Sequence, residues 1–516
     1  MQPGERQRGM GGSGAARRLP RTRAALFALV ALLPGVARAA TPAADAPAAA
    51  PIPAPRVFVS MHKGTFGGTP LGYVATAGDS FLGDSSGHPT AVMFSFSYVR
   101  EGVRDRTTRP VMFLFNGGPG SSSIWVHLAA LGPRVVDLGD VVHPPTAGPF
   151  HLRDNPLSPL DVADLVFIDP VGTGFSHLVG AGKAEEYYGV IEDARATAEF
   201  IVDWLTRNGR WGSPKFVLGE SYGTVRVCAL VKALAGGPTG GGSLPGVTFN
   251  GAILLGTALD HAGPDAAAQS LLPTLAAVAW YHGKVDKAGR TLGSFVAQAR
   301  AFAAGDYGAA LYAGDRLTDD QQRAIARRLA SLTGLPEAYL LEHHVRVSGR
   351  DFARELLHEQ GRELGIYDAR YTLPRSGAGS DPVADDPAMG QYVPAFIAAF
   401  HEYLHDDLKI PLDAHYEAIA FKDVNGRWDY GPGGPEAAHT ADLAAAMRRN
   451  PAMRLLVASG YYDLATPFAA AEHALSHAEM PLERVEFRTY ESGHMAYLGV
   501  QPAEAFMKDL RAFVTK

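Results

Sequence analysis

One cysteine, Cys228, stands in a chain of 516 residues. A single cysteine makes no intramolecular disulfide, so stability must come from core burial. Cysteine and histidine nowhere cluster at the spacing of a zinc site. The nearest approach to one, His343-His344, would point about 100° apart on a helix and suits a solvated helix face. Charged residues are few, 19% against 47% hydrophobic, the balance of a soluble globular chain with ample core. Beyond the first forty residues there is no block of Lys and Arg, which argues against nucleic acid as a partner. The apolar run AALFALVALLPGV at 24–36 is too short to span a bilayer comfortably.

That run has a different meaning in its context. Arg17, Arg18, Arg21 and Arg23 precede it, and Ala37-Arg38-Ala39 follows it. A basic segment, an apolar segment and an Ala-x-Ala site are the parts of a secretory signal peptide. The expectation is therefore export to the periplasm or the outside, with residues 1–39 removed and no membrane association afterwards. The Arg17-Arg18 pair hints at twin-arginine export. Residues 1–39 carry seven arginines and one glutamate, so their removal takes the formal net charge from −6 to −12. The Ala/Pro-rich stretch 40–56 reads as an exposed leader.

The remaining length suits one large domain with an insertion, or two or three ordinary ones. RVFVS, AVMFSFSYV and PVMFLF, between 56 and 115, have the Val and Phe content of buried strands. Strands and helices then alternate. ADLVFID precedes the amphipathic run IEDARATAEFIVDWLTRN, with Ala198, Ile201, Val202 and Leu205 at helical spacing. PKFVLGE precedes the helical run YGTVRVCALVKAL, and GAILLGTALD is another strand. MRLLVASG, VEFRTY and a last helix near AEAFMKDLRAFV close the chain. This order predicts an α/β fold, a mostly parallel sheet with helices on both faces. Residues 261–390 read instead as helix after helix. Thr318 and Gln321 form a capping box there, and Gly334 is placed to end the helix that it opens. The expected organisation is core at 57–260, a helical cap at 261–390 and core again at 391–516.

Chemistry concentrates at five motifs. GESYG (219–223) follows an apolar strand and opens a helix. A nucleophile elbow needs that strand–turn–helix setting, whereas the pentapeptide alone would be weak evidence. Ser221 needs a base to take its proton. In this architecture the acid and then the histidine follow the serine along the chain. Asp463 and His494 each lie just past a late strand, where sites collect in such sheets. Asp260 also follows a strand and is the rival acid; Asp463 is preferred because its loop directly precedes that of His494. NGGPGSSS (116–123), behind the strand VMFLF, offers the free backbone N–H groups that an oxyanion hole requires.

NGGPGSSS, DPVGTGFS (169–176), GESYG, SGYYD (459–463) and GHMAY (493–497), in this order, resemble the serine carboxypeptidase family of α/β-hydrolases. TGLPEAYLLEHH (333–344) and GRELGIYDARYT (361–372) resemble its bacterial branch. The resemblance implies an α/β-hydrolase fold and a Ser221–His494–Asp463 triad that needs no cofactor. It implies an oxyanion hole from the N–H groups of Gly118 and Tyr222. The Asn116 side chain and the Gly117 N–H would hold a peptide's terminal carboxylate, with Glu220 sharing a hydrogen bond with it. Two departures stand out. Ser121 occupies a place where the family loop usually has cysteine. The family also pairs the glutamate before the nucleophile with a second one just ahead of a Leu-Gly-Pro turn. Here Leu131-Gly132-Pro133 follows Ala129-Ala130. Two close carboxyls share a proton that can bond a carboxylate, whereas an ionised Glu220 alone would repel it. The expectation is a serine-type carboxypeptidase acting on peptides with a free C-terminus, with carboxylate recognition either weakened or supplied by some other group. An esterase or acyltransferase on the same triad is the alternative. A non-catalytic binding protein would have a broken triad, and all the parts are present.

Overall fold

The computed structural model describes residues 52–516, except 237–244, 261, 377–380, 382, 412–413 and 435–436. The expected signal peptide lies outside the described residues, as does most of the expected leader.

The strands of the main sheet are β1 (Val57–Phe66), β2 (Thr69–Gly83), β3 (Pro89–Arg100), β4 (Val111–Phe115), β5 (Asp164–Ile168), β6 (Lys215–Glu220), β7 (Gly251–Leu255), β8 (Arg454–Gly460) and β9 (Val485–Tyr490). Their order across the sheet is β1-β2-β3-β5-β4-β6-β7-β8-β9, and the short strand His177–Leu178 pairs with β3. From β5 to β9 every pairing is parallel, with Phe113 of β4 opposite Val217 of β6. The first three strands are antiparallel. β2 was not singled out in the sequence. Its three glycines (72, 78 and 83) dilute the apolar alternation, and long pairing with both neighbours sets its conformation.

Alternate residues of the buried strands face opposite ways, as the twofold period of a strand demands. Met112 and Leu114 join one core with α6 (Met389–Glu402) and α8 (Val500–Thr515). Val111, Phe113 and Phe115 join the other with α1 (Val190–Arg207), α2 (Gly223–Ala235) and α7 (Thr440–Arg449). Helices therefore cover both faces of a parallel sheet.

Everything from 256 to 453 is inserted between β7 and β8. Its first part holds α3 (Pro264–Tyr281), α4 (Leu292–Phe302) and α5 (Asp319–Thr333), which share a separate apolar cluster including Leu272, Phe295, Leu329 and Phe352. Thr318 caps α5 with Gln321 in the reciprocal box, and Gly334 ends the helix in the left-handed conformation. A small antiparallel pair, Arg362–Leu364 with Thr372–Pro374, interrupts the helices.

Burial takes the place of cross-links. Cys228 is free and fully buried in α2. Beside it lies Arg226, 1% exposed, whose Nε donates to Asp193 of α1 at 2.6 Å. Its Nη1 donates to the carbonyl of Asn116, at the end of β4. Asp193→Ala would strand the buried guanidinium without its carboxylate. A loss of about 3–5 kcal/mol is expected, read as a lowered midpoint in denaturant unfolding.

Candidate active site

Four loops leave the carboxyl ends of β4, β6, β8 and β9 and meet at one cleft. The cleft is lined by Asn116, Gly117, Gly118, Glu220, Ser221 and His494 among others, and has an empty volume of about 520 Å³, part of it open solvent.

The loop after β6 is strained where the motif suggested. Ser221 has φ +61, in the left-handed region that costs a non-glycine residue roughly 1–3 kcal/mol. Its neighbours make room for the turn. A Cβ on Gly219 would stand 2.1 Å from the carbonyl oxygen of Gly223, and one on Gly117 would stand 2.4 Å from the amide nitrogen of Tyr222. The Ser221 N–H donates to the carbonyl of Leu255 at 2.9 Å, and Thr224 returns both its N–H and its hydroxyl to the Ser221 carbonyl. Among the described residues the amides of Gly118 and Tyr222 have no hydrogen-bond partner.

His494 and Asp463 are brought together. Nδ1 of His494 lies 2.8 Å from Asp463 Oδ2. Asp463 is fully buried; its Oδ1 accepts the N–H groups of Ala465 and Thr466, and the Thr466 hydroxyl bonds Oδ2. The opposite ring nitrogen of His494, Nε2, is buried without a partner among the described residues and belongs to a residue that shares the cleft with Ser221. Asp260, the rival acid, is elsewhere: its carboxylate takes the N–H groups of His439 and Thr440 at the start of α7. Burial opposes a proton on His494, and the Asp463 and Glu220 carboxyls outweigh it, so its pKa is raised.

Glu220 is 2% exposed. Its Oε1 accepts from Asn116 Nδ2 at 2.7 Å and its Oε2 from the Tyr497 hydroxyl at 2.5 Å. No second carboxyl bonds to it among the described residues. Ala130, at the place of the missing glutamate, is buried, and its carbonyl accepts from the Asn155 side chain. Burial above all, with the Asp463 charge adding to it, pushes the Glu220 carboxyl up, to about 7, against the lowering effects of His494, Tyr497 and Asn116. Desolvation raises the carboxyl's affinity for a proton without a partner acid bonded to it.

Comparison with known proteins agrees with this geometry. The serine carboxypeptidase family model matches residues 84–324. The match covers a little under half of the chain. Serine carboxypeptidase-like 34 of Arabidopsis thaliana is 33% identical over 130 residues, which cover 25% of this chain and 24% of the relative. Serine carboxypeptidase 1 of Hordeum vulgare is 30% identical over 158 residues, 30% of each chain. The chain thus matches under a third of the length of these curated relatives. A prohormone-processing carboxypeptidase from Saccharomyces cerevisiae has the same fold, with a TM-score of 0.53 over 86% of this chain and 90% of that one, at 15% identity.

The other motifs support the loops of the cleft. Asp169 of DPVGTGFS accepts from the Ser123 N–H and hydroxyl and from the Tyr416 hydroxyl. It thereby ties NGGPGSSS to the sheet. Ser121 accepts from Trp125 Nε1 at 2.8 Å, which orients an aromatic wall of the cleft.

Several contributors were missed in the sequence. Tyr367 accepts the His494 N–H on its carbonyl at 2.6 Å and sets its ring edge-on to the imidazole, centroids 5.4 Å apart. The buried pair Asp368–Arg370 holds the same loop, Arg370 donating to the carbonyl of Glu491. These residues lie in the insertion motif at 361–372, more than a hundred residues from the motifs that they support, and nothing in that motif marks their contacts. Gly256 had a readable signal, a glycine directly after a strand. A Cβ there, at φ +50, would stand 2.9 Å from His494 Cε1 and Nδ1.

Two outcomes follow for labelling of Ser221 by a fluorophosphonate. The rate should rise as His494 loses its proton, with a midpoint above the ordinary histidine value near 6.5. Gly256→Ala should slow it by about a hundredfold, because an imidazole displaced by an ångström loses its attack geometry.

Proposed function

We propose that the protein is a serine-type carboxypeptidase that releases the C-terminal residue of peptides. The observation that carries this reading is the buried carboxyl of Glu220 in the same cleft as Ser221, with the Asn116 amide bonded to it. An esterase has no need of a desolvated carboxyl there. A neutral carboxyl beside an amide donor, by contrast, can bond a peptide's terminal carboxylate.

In this reading Ser221 Oγ attacks the carbonyl carbon of the last peptide bond while His494 Nε2 takes its proton. The oxyanion forms against the N–H groups of Gly118 and Tyr222. Asp463 orients the imidazole and stabilises its cation. The C–N bond breaks as His494 returns the proton to the leaving amine, and water then repeats the sequence on the acyl-enzyme. Asn116, the Gly117 N–H and Glu220 hold the terminal carboxylate. The alternative, an esterase or acyltransferase on the same triad, keeps the first steps and dispenses with the last group of residues.

We propose too that the chain belongs to the bacterial branch of the family and is exported, with cleavage between Ala39 and Ala40. The support is the sequence alone: the two insertion motifs at 333–344 and 361–372, and the Arg-apolar-Ala-x-Ala order of the first forty residues. Protein recovered from outside the cytoplasm should begin at Ala40 by N-terminal sequencing.

The activity test uses one N-blocked dipeptide as free acid and as C-terminal amide, ending in an apolar residue to suit Trp125, Met389, Tyr392 and Phe421 in the cleft walls. Only the acid should be cleaved, and Ser221→Ala should reduce the rate by about 10⁴- to 10⁶-fold. Hydrolysis of a simple ester with neither peptide cut would decide for the esterase.

A further inference from the structure

Tyr497 lies three residues past His494, on the same loop after β9. It is fully buried, its ring packed against Phe506 of α8 with centroids 5.9 Å apart. Its hydroxyl makes one hydrogen bond among the described residues, to Oε2 of Glu220. The other Glu220 oxygen takes the Asn116 amide, whose own orientation is fixed because its Oδ1 accepts the Val126 N–H at 3.1 Å. Both oxygens of the buried carboxyl thus meet neutral donors. The charged and titratable groups that face it are His494 and Asp463 on the neighbouring loops, with Asp386 acting on His494 and Tyr392 on Tyr497. No Lys or Arg among the described residues bonds to it.

The geometry points to Tyr497 as a positioning residue that governs the proton of Glu220, and so sets the pH range over which a peptide's terminal carboxylate is accepted. This rests on the carboxypeptidase reading. A neutral Glu220 donates to an incoming carboxylate, and an ionised one repels it. The Tyr497 hydroxyl keeps its own proton throughout the working range, because burial and the adjacent Glu220 raise its pKa. It therefore acts as a fixed donor, and a fixed donor favours the ionised carboxylate. Burial pushes Glu220 up to about 7 in spite of that donor. The signs follow. Removing the hydroxyl leaves burial less opposed, so Glu220 holds its proton to higher pH. The rise in KM for free-carboxylate peptides then begins at higher pH.

A purely structural Tyr497 makes a different forecast. Phenylalanine keeps the ring and its packing on Phe506, so stability and kcat could change, but the pH at which KM rises would not.

The experiment measures KM and kcat across pH for wild type and Tyr497→Phe, with the N-blocked dipeptide acid and with an N-blocked amino-acid ester that has no carboxylate. The ester profile reports His494, and the ratio of acid to ester reports Glu220. The expected result is an alkaline displacement of the KM limb by about one to two pH units, the value of a hydrogen bond to a charged acceptor. It should appear with the acid and not with the ester. At the alkaline end KM for the acid should then be about tenfold or more below that of wild type. Glu220→Gln should abolish the limb, and adding Tyr497→Phe to it should move nothing further. If Tyr497→Phe yields no folded protein, 3-fluorotyrosine at 497 keeps the ring and strengthens the donor, and must move the limb the other way.

A limb that stays in place or moves to lower pH in Tyr497→Phe, while wild type discriminates acid from amide, overturns the inference and leaves the carboxypeptidase reading standing. Wild type that treats acid and amide alike at every pH overturns that reading, and the inference with it.

Discussion

The site depends on how closely the loop after β4 approaches the turn after β6. The two strands are parallel neighbours, so their loops leave the same edge of the sheet side by side. Side chains would normally hold such loops apart. Here Gly117 and Gly223 remove them, and the backbone of NGG lies directly on the elbow that carries Ser221. The strain of Ser221 at φ +61 can persist only because this packing leaves the turn no room to relax. Arg226 fixes the arrangement from below, bonded to the Asn116 carbonyl and packed over the rings of Phe115 and Tyr222. One contact between glycine backbones therefore sets the Ser221 hydroxyl, the amides beside it and the Asn116 side chain together.

How much of this was legible depended on the distance between cause and effect along the chain. The parallel half of the sheet could be read because each strand is apolar through its length and ends at a loop with its own signature. Ser221, Asp463 and His494 could be read for the same reason, since each sits a few residues past a strand end. β2 could not, because its glycines and small residues hide a conformation that comes from its partners. Tyr367, Asp368 and Arg370 were visible only as letters in an insertion motif. Their work on the His494 loop is a matter of tertiary contact across more than a hundred residues. Tyr497 stood inside a motif quoted for its histidine, while its partner Glu220 lies 277 residues away.

The missing second glutamate shows why a residue absent from a pattern does not remove the property that it served. What matters for binding a carboxylate is a neutral carboxyl at the working pH, and more than one physical route leads there. A nearby like charge is one, and loss of water is another. In this cleft Glu220 lies beneath aromatic and apolar walls from Trp125, Met389 and Tyr392. Desolvation raises its affinity for a proton more than His494 and two neutral donors lower it. The sequence showed the loss of the first route and was silent on the second, because burial is a property of the folded chain.

The two routes differ in what else they touch. A second acid on the loop after β4 would stand on a different loop from His494. In this protein the donor that opposes burial sits three residues from His494, on one short loop. That loop is pinned at three points: the Arg370 bond to the Glu491 carbonyl, the Ser492 hydroxyl on the carbonyls of Met495 and Leu498, and the His494 N–H on Tyr367. A displacement of the loop that moves the imidazole from Asp463 also moves the hydroxyl from Glu220. In the carboxypeptidase reading, base and carboxylate recognition are therefore tied mechanically as well as through their charges. The insertion, which supplies Tyr367 and Arg370, acts on both at once.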